Sequence, residues 1–223
     1  MNVLHIQSSP RSDRSNSIAL TNAFLSASRK IVPDIDEDVL NVWDERLPEF
    51  DNAAIEAKYK GVAGTAMNDA ETAVWNRIKA LVARFKRADR IVVGVPMWNF
   101  AYPYKLKQLI DLVSQRNMLF TFDGVRFGPL LKTPRAMVIY TRGQEYREDL
   151  PTPPSVFNHQ SSYVEFWLRF IGVQDVRALA VENTWGDKAE ASMRAARDEV
   201  VSLAKGFWSR DASRDNSVHS EMG

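Results

Sequence analysis

Three short segments of the 223-residue sequence carry residue types that could handle a ligand. The first, Ser8-Ser9-Pro10-Arg11-Ser12-Asp13-Arg14-Ser15-Asn16-Ser17, offers five hydroxyls and an amide ahead of an apolar helical stripe. A helix start has unpaired N–H groups and a positive dipole end, which suit one phosphate. Ser15 or Ser17 could equally act only as an N-cap. The segment lacks both Gly-x-Gly-x-x-Gly and Gly-x-x-x-x-Gly-Lys, so it gives little support to a pyrophosphate cradle.

The second segment, Pro96-Met97-Trp98-Asn99-Phe100-Ala101-Tyr102-Pro103-Tyr104, packs four aromatics and a methionine into one connection. Loops normally face water, so this density calls for a flat apolar cover, either a second subunit or a cofactor ring. Asn99 and the loop backbone add donors and acceptors for the polar edge of a heterocycle. The third, Thr141-Arg142-Gly143-Gln144-Glu145-Tyr146, contains a glycine that permits close approach and is otherwise a turn signal. His5, His159 and His219 are too scattered for a local metal motif.

These segments must be held by the elements around them. Val3 to Gln7 reads as a first strand, followed by a helix with Leu20, Phe24, Ala27 and Ile31 on one face and Pro33 at its end. Val39 to Trp43 is the expected second strand. A long connection from Asp44 to about Ala70 follows, with a short helix around Ile55 to Tyr59. Val74, Ile78, Leu81 and Phe85 mark the next helix. Ile91 to Val95 is an uninterrupted apolar strand of the kind covered on both faces. Leu106, Leu109, Ile110 and Val113 form a helix after Pro103. Further strands are expected at Ala136 to Thr141 and Val176 to Glu182, the latter followed by a helix from Ala189 to Phe207. This alternation implies an α/β fold with an open parallel sheet and helices on both faces. Ligands in such folds sit beyond the carboxyl ends of the strands, where all three segments fall.

Composition narrows the chemistry. The chain is 45% hydrophobic and 26% charged, with a formal net charge of +1, which favours neither nucleic acid nor an anionic membrane as partner. With no cysteine, redox chemistry requires a borrowed cofactor. No apolar run is long enough for a membrane span and no basic leader precedes the first strand, so a soluble cytoplasmic protein is expected.

Ser8-Ser9, Ser15-Asn16-Ser17, Pro96-Met97-Trp98-Asn99-Phe100 with Leu106-Lys107 and Asp111-Leu112, and Thr141-Arg142-Gly143 together resemble the FMN-dependent NADH:quinone oxidoreductases, also called azoreductases. The resemblance runs in order from Val3 to about Phe207, and the Pro-Met-aromatic-Asn-Phe segment is its specific part. It implies a flavodoxin-like three-layer sandwich with a five-stranded parallel sheet of order 2-1-3-4-5. It also implies a homodimer with one FMN per subunit near the interface. Residues 1–208 would form the single FMN-binding domain and 209–223 a flexible tail.

Carried onto matching positions, the resemblance gives Ser9, Ser15, Asn16 and Ser17 to the FMN phosphate. Pro96, Met97, Trp98, Asn99 and Phe100 would run beside the isoalloxazine ring, and Thr141, Arg142, Gly143 and Gln144 would approach its pyrimidine edge. The chain departs from the family pattern at Gln144, where many members have a second glycine, at Trp98, often tyrosine, and at Thr141, usually serine. Phe120 and Phe157 are the choices for acceptor contact. The implied activity is two-electron ping-pong reduction of quinones, azo compounds or other flat aromatic acceptors by NADH or NADPH, with the chemistry at flavin N5 and no acid or base assigned. An NADPH-dependent FMN or nitroaromatic reductase and a non-enzymatic flavodoxin-like electron-transfer or interaction protein are the alternatives. Arg11, Arg14, Arg142 and Arg147 are the candidates to meet a nicotinamide 2′-phosphate.

Overall fold

A computed structural model describes residues 1–133 and 135–208. The expected tail, 209–223, lies outside the described residues. Along the chain run β1 (Asn2–Gln7), a 3-10 turn (Ser12–Arg14), α1 (Asn16–Arg29), β2 (Asp36–Asn41), α2 (Asn52–Ala63), α3 (Asp69–Arg87), β3 (Arg90–Pro96) and α4 (Tyr104–Val113). They are followed by β4 (Phe120–Phe122), β5 (Phe127–Pro129), β6 (Arg135–Thr141), α5 (Pro154–Phe157), α6 (Ser161–Ile171), β7 (Asp175–Val181) and α7 (Ala189–Phe207).

The main sheet has the order β2-β1-β3-β6-β7, every neighbouring pair being parallel. With the antiparallel β4–β5 hairpin set aside, this is the expected order 2-1-3-4-5. Successive residues of a strand face opposite sides, and the core divides accordingly. Leu4, Ile6, Ile91, Val93, Val95, Val138 and Tyr140 pack with α3, α4 and α6. Val3, Val92, Met137 and Ile139 pack with α1 and α7, whose Phe24 and Phe207 meet edge-on at 5.2 Å. The all-apolar reading of β3 follows from its central place in the sheet, with residues 90–95 buried.

Two expectations need correction. The second strand covers Asp36–Asn41 and not residues 39–43, because it is the sheet edge and its register against β1 places polar Asp36, Glu37 and Asp38 on the ladder. Helix α1 ends at Arg29, leaving Ile31 exposed, and its buried face is completed by Ser17, Thr21 and Ser28. Those small polar residues fit there because their hydroxyls bond within the helix or to neighbours, as Ser28 Oγ does to Phe24 O at 2.7 Å. Helix α6 and the hairpin are further elements that the sequence reading did not assign.

One polar tie crosses the α1 side of the sheet. Buried His5 on β1 donates from Nδ1 to Glu37 Oε1 of β2 at 2.7 Å, and its Nε2 lies 2.8 Å from Thr21 Oγ1 of α1. Arg29 closes on the other Glu37 oxygen. The hydrogen bond from His5, aided by Arg29, holds the Glu37 carboxyl below its ordinary value of 4.5 despite partial burial. A carboxylate with a depressed folded-state pKa contributes stability above the unfolded value, and that stability is lost as pH falls through the folded one. Urea unfolding of the wild type should therefore lose stability as pH falls below 4.5, and Glu37→Gln should flatten that acid limb while lowering stability at neutral pH. An unchanged acid limb in the variant would refute this role for Glu37.

Candidate functional site

Strands β1, β3 and β6 are adjacent and parallel, so the three segments singled out above emerge at one edge of the sheet. Ser8 joins the first to β3 by donating both its N–H and its Oγ–H to Gly94 O, at 3.2 and 2.7 Å. A Cβ on Gly94 would stand 3.1 Å from Ser17 O and 3.2 Å from Thr21 Cγ2, so the missing side chain lets α1 begin this close to the strand. Of the two possible N-caps, Ser15 is used: its Oγ accepts from Ile18 N–H at 3.3 Å and lies 3.1 Å from Ser17 Oγ. The N–H groups of Asn16 and Ser17 sit in the first turn, where a helix has no carbonyl of its own to offer.

The second segment turns more sharply than its composition suggested. Trp98 and Ala101 exchange N–H···O bonds of 2.8 and 2.9 Å, enclosing Asn99 at φ 47° and Phe100 at φ 69°. Two central residues with positive φ are the signature of a type I′ hairpin turn. Asparagine tolerates that geometry, whereas a phenylalanine there stores roughly 1–3 kcal/mol of strain. The turn is held from outside: Met97 N–H donates to Thr141 O at 2.8 Å, Phe100 O accepts from His159 N–H at 3.1 Å, and the Phe100 ring meets Phe157 at 5.0 Å.

The third segment is organised by Arg142, whose side chain is buried. Its guanidinium donates to Gln160 Oε1 at 3.0 Å, Glu182 Oε1 at 3.0 Å and Asn158 Oδ1 at 3.1 Å. Gln160 passes the connection on to Val95 O at 2.9 Å, and Glu182 Oε2 accepts from Tyr146 N–H at 3.1 Å. The Arg142 carbonyl accepts from both the N–H and the Oγ–H of Thr184, at 3.0 and 2.8 Å.

Between these segments lies a cleft of about 240 Å³. One end is lined by Ser9, Arg11, Ser15 and Asn16; the remainder by Pro96, Met97, Trp98, Thr141 and Gly143, with Thr184 and Trp185 closing it. Eight of the expected residues, Ser9, Ser15, Asn16, Pro96, Met97, Trp98, Thr141 and Gly143, are thus brought to one place. Ser17 stands behind Ser15, fully buried, and Asn99 and Phe100 form the strained turn. The Arg142 side chain points into the protein, and Gln144 is exposed outside the cleft lining. Phe157 borders the turn through Phe100, whereas Phe120 belongs to the hairpin cluster with Phe127 and Phe170, at 5.8 and 5.0 Å.

Sequence reasoning missed Thr184 and Trp185, and weighed Arg11 only for a nicotinamide phosphate. The signal was the Asn183-Thr184-Trp185-Gly186 stretch after the fifth strand of the sheet, an aromatic in a polar turn at the same carboxyl edge. Asn183 and Gly186 both have positive φ, and Asn16 Nδ2 reaches Thr184 O at 3.4 Å, tying this turn to α1.

A family model described as flavodoxin-like fold matches residues 1–203. The chain is 58% identical to FMN-dependent NADH:quinone oxidoreductase 2 of Burkholderia lata over 207 residues, which cover 93% of this chain and 100% of the relative. The chain belongs to the FMN-dependent NADH:quinone oxidoreductase family. Another member, from Pseudomonas syringae pv. tomato, is 44% identical over 92% of this chain and 98% of its own. Among solved structures of similar fold are an azoreductase from Bacillus anthracis (TM-score 0.84, 23% identity, 93% of this chain and 100% of that one) and an FMN-dependent NADH-azoreductase of the same species in complex with FMN (0.83, 24%, 92% and 99%).

The residues present fit the family's cofactor. The first-turn N–H groups of α1, the small hydroxyls and the Arg11 guanidinium make a donor set suited to a phosphate monoester. Gly143 is exposed in the cleft wall, and a Cβ there would meet nothing nearer than Trp185 Cβ at 3.8 Å, so the space it leaves belongs to the cleft. Among the described residues no group of His, Asp or Glu could hold a metal ion.

Replacing Arg142 by Met removes the donor for three buried or half-buried acceptors, which should cost about 2–4 kcal/mol of unfolding free energy. Arg142→Lys should recover only part, since one ammonium cannot reach all three. Urea denaturation of the three proteins checks both statements, and a Lys variant as stable as the wild type would refute the fork.

Proposed function

We propose that this chain reduces quinones and aromatic azo compounds, with NADH as reductant and FMN as bound cofactor. The observation that carries this is identity of 58% to a quinone oxidoreductase along that relative's whole length, joined to a cleft whose donors and apolar wall suit a phosphate and a flat ring. Ser9, Ser15, Asn16 and Ser17, with Arg11, hold the phosphate through hydroxyls and first-turn amides. Pro96, Met97 and Trp98 line the ring's side, the Asn99–Phe100 turn fixes their course, and Thr141 and Gly143 form the wall along the pyrimidine edge, with Arg142 bracing it from within and Gln144 following at the surface. Thr184 and Trp185 complete the cleft lining.

Held by these residues, FMN would supply hydride acceptance from NADH at N5 and two-electron transfer to the acceptor, which fits a ping-pong alternation of the two substrates. The protein's share is to position, to exclude water and to offer a flat apolar wall. Phe157, against Phe100, is the acceptor-facing aromatic at the turn, and Phe120 contributes from the hairpin. NADH is the reading for the reductant because the relatives are named NADH:quinone oxidoreductases; of the four candidate arginines, Arg142 is held as described and Arg147 by Asp149 at 2.9 and 2.6 Å and Glu145 at 3.1 Å.

Residues 1–208 form one functional domain in this reading, and the protein works in the cytoplasm as a homodimer. Exposed Phe127 and Phe166 and the stacked Phe166–Phe170 pair at 5.9 Å favour a subunit contact beside the aromatic turn. Among the described residues no helix is long and apolar enough to cross a membrane.

Purified protein should show FMN absorption that bleaches with NADH under anaerobic conditions and returns on adding a quinone. Protein that neither carries nor takes up FMN would overturn the reading, and flavin that exchanges freely during turnover would favour a free-flavin reductase. Gly143→Val should weaken FMN binding by about tenfold or more, near 1.4 kcal/mol, while moving unfolding stability by less than about 0.5 kcal/mol.

A further inference from the structure

Trp43 lies outside the cleft, two residues beyond β2 and half-buried. Its backbone is fixed by Val42 N–H to Gln7 O and by its own N–H to Asn41 Oδ1, each at 3.0 Å. From that anchor the side chain does two things. The indole N–H donates to Ser8 O at 2.9 Å. The ring meets the Trp98 ring at 5.7 Å and 46°, and the Tyr104 ring edge-on at 5.3 Å and 83°.

The first contact governs more than Ser8. With its N–H and hydroxyl given to Gly94 O and its carbonyl taken by Trp43, the Ser8 backbone is held on both sides. The peptide to Ser9 is trans, so the Ser8 C=O and the Ser9 N–H point in opposite directions. The indole therefore sets the direction of the amide at Ser9, which lines the polar end of the cleft. The second contact sets the tilt of Trp98, which lines the apolar part. A hydrogen bond is directional and a ring pair prefers tilted or edge-on contact, so moving Trp43 cannot leave both ends of the cleft unchanged.

We infer that Trp43 is a positioning residue that couples the phosphate end of the cleft to its aromatic wall, aiming the Ser9 amide with its N–H and fixing the Trp98 ring with its face. The inference rests on the flavin reading above. It assigns the two effects to separable parts of one side chain, which a pair of substitutions can divide.

Trp43→Phe keeps an aromatic ring and removes the N–H; Trp43→Leu removes both. Each variant and the wild type would be titrated with FMN and with riboflavin, which lacks the phosphate, alongside urea unfolding to confirm that each is folded. Trp43→Phe should bind FMN about fivefold more weakly, as for one lost hydrogen bond, and riboflavin within about twofold of wild type. Trp43→Leu should weaken both ligands and shift the long-wavelength absorption band of the bound flavin. If the leucine variant does not fold, the phenylalanine variant carries the test alone. Wild type that binds FMN, with Trp43→Phe showing no loss or an equal loss for the two flavins, overturns the coupling. Wild type that binds no FMN overturns the flavin reading and this inference together.

Discussion

The buried guanidinium of Arg142 is the contact on which the site edge depends. Removing a cation from water is costly unless its hydrogen bonds are replaced, so the chain must bring acceptors to it from separate places. Glu182 comes from the end of β7, and Gln160 and Asn158 from the connection before α6. Gln160 in turn holds Val95 O at the end of β3. One side chain thus fixes three of the loops beyond the sheet, and the demand that it stay satisfied is what keeps them in register.

That fixation permits strain elsewhere. A phenylalanine at φ 69° would relax in a free loop, yet here Met97 is bonded to Thr141 O and the Phe100 carbonyl to His159 N–H. Both anchors belong to segments that the Arg142 network already holds, through residue 141 on one side and residues 158 and 160 on the other. The turn residues are therefore positioned by polar contacts at their flanks, which leaves the Trp98 ring to Trp43 and the Phe100 ring to Phe157.

Much of this was legible in the sequence, and the limits are physical. The open parallel sheet and the convergence of the three segments follow from alternating periodicities and right-handed crossovers, because Ile91 to Val95 and Ala136 to Thr141 are buried on both faces and read as strands unambiguously; the strand order comes from the family resemblance. The edge strand was misplaced because half of it faces water, so Asp36, Glu37 and Asp38 carry no apolar signal. Helix α6 was legible but not read: Tyr163, Phe166, Trp167 and Phe170 recur at i, i+3, i+4 and i+7, yet the run was weighed only as core or substrate wall. Arg142 was read as a ligand contact because the resemblance places it at the flavin edge; its three acceptors lie 16 to 40 residues away in sequence, so no local signal marks it as buried. Trp43 and Trp185 are tertiary contributions of the same kind, ring positions that only the assembled sheet edge defines.

The distribution of charge explains why the cleft is so sparing with it. Arg142 is spent on Glu182 and Arg147 on Asp149 and Glu145, so the arginines in and just after the third segment are neutralised within the chain. What remains at the polar end is Arg11, a set of serine hydroxyls and the amides of one helix start. Such a set matches a single phosphate and offers little for a second, since no glycine-rich turn brings more backbone N–H groups within reach. Discrimination at the other end must then come from shape, from Trp98 tilted against Trp43 and from the space that Gly143 leaves. In the proposed function the cofactor is gripped at its phosphate and merely shaped around at its ring, an arrangement that leaves the reacting face open to successive flat substrates.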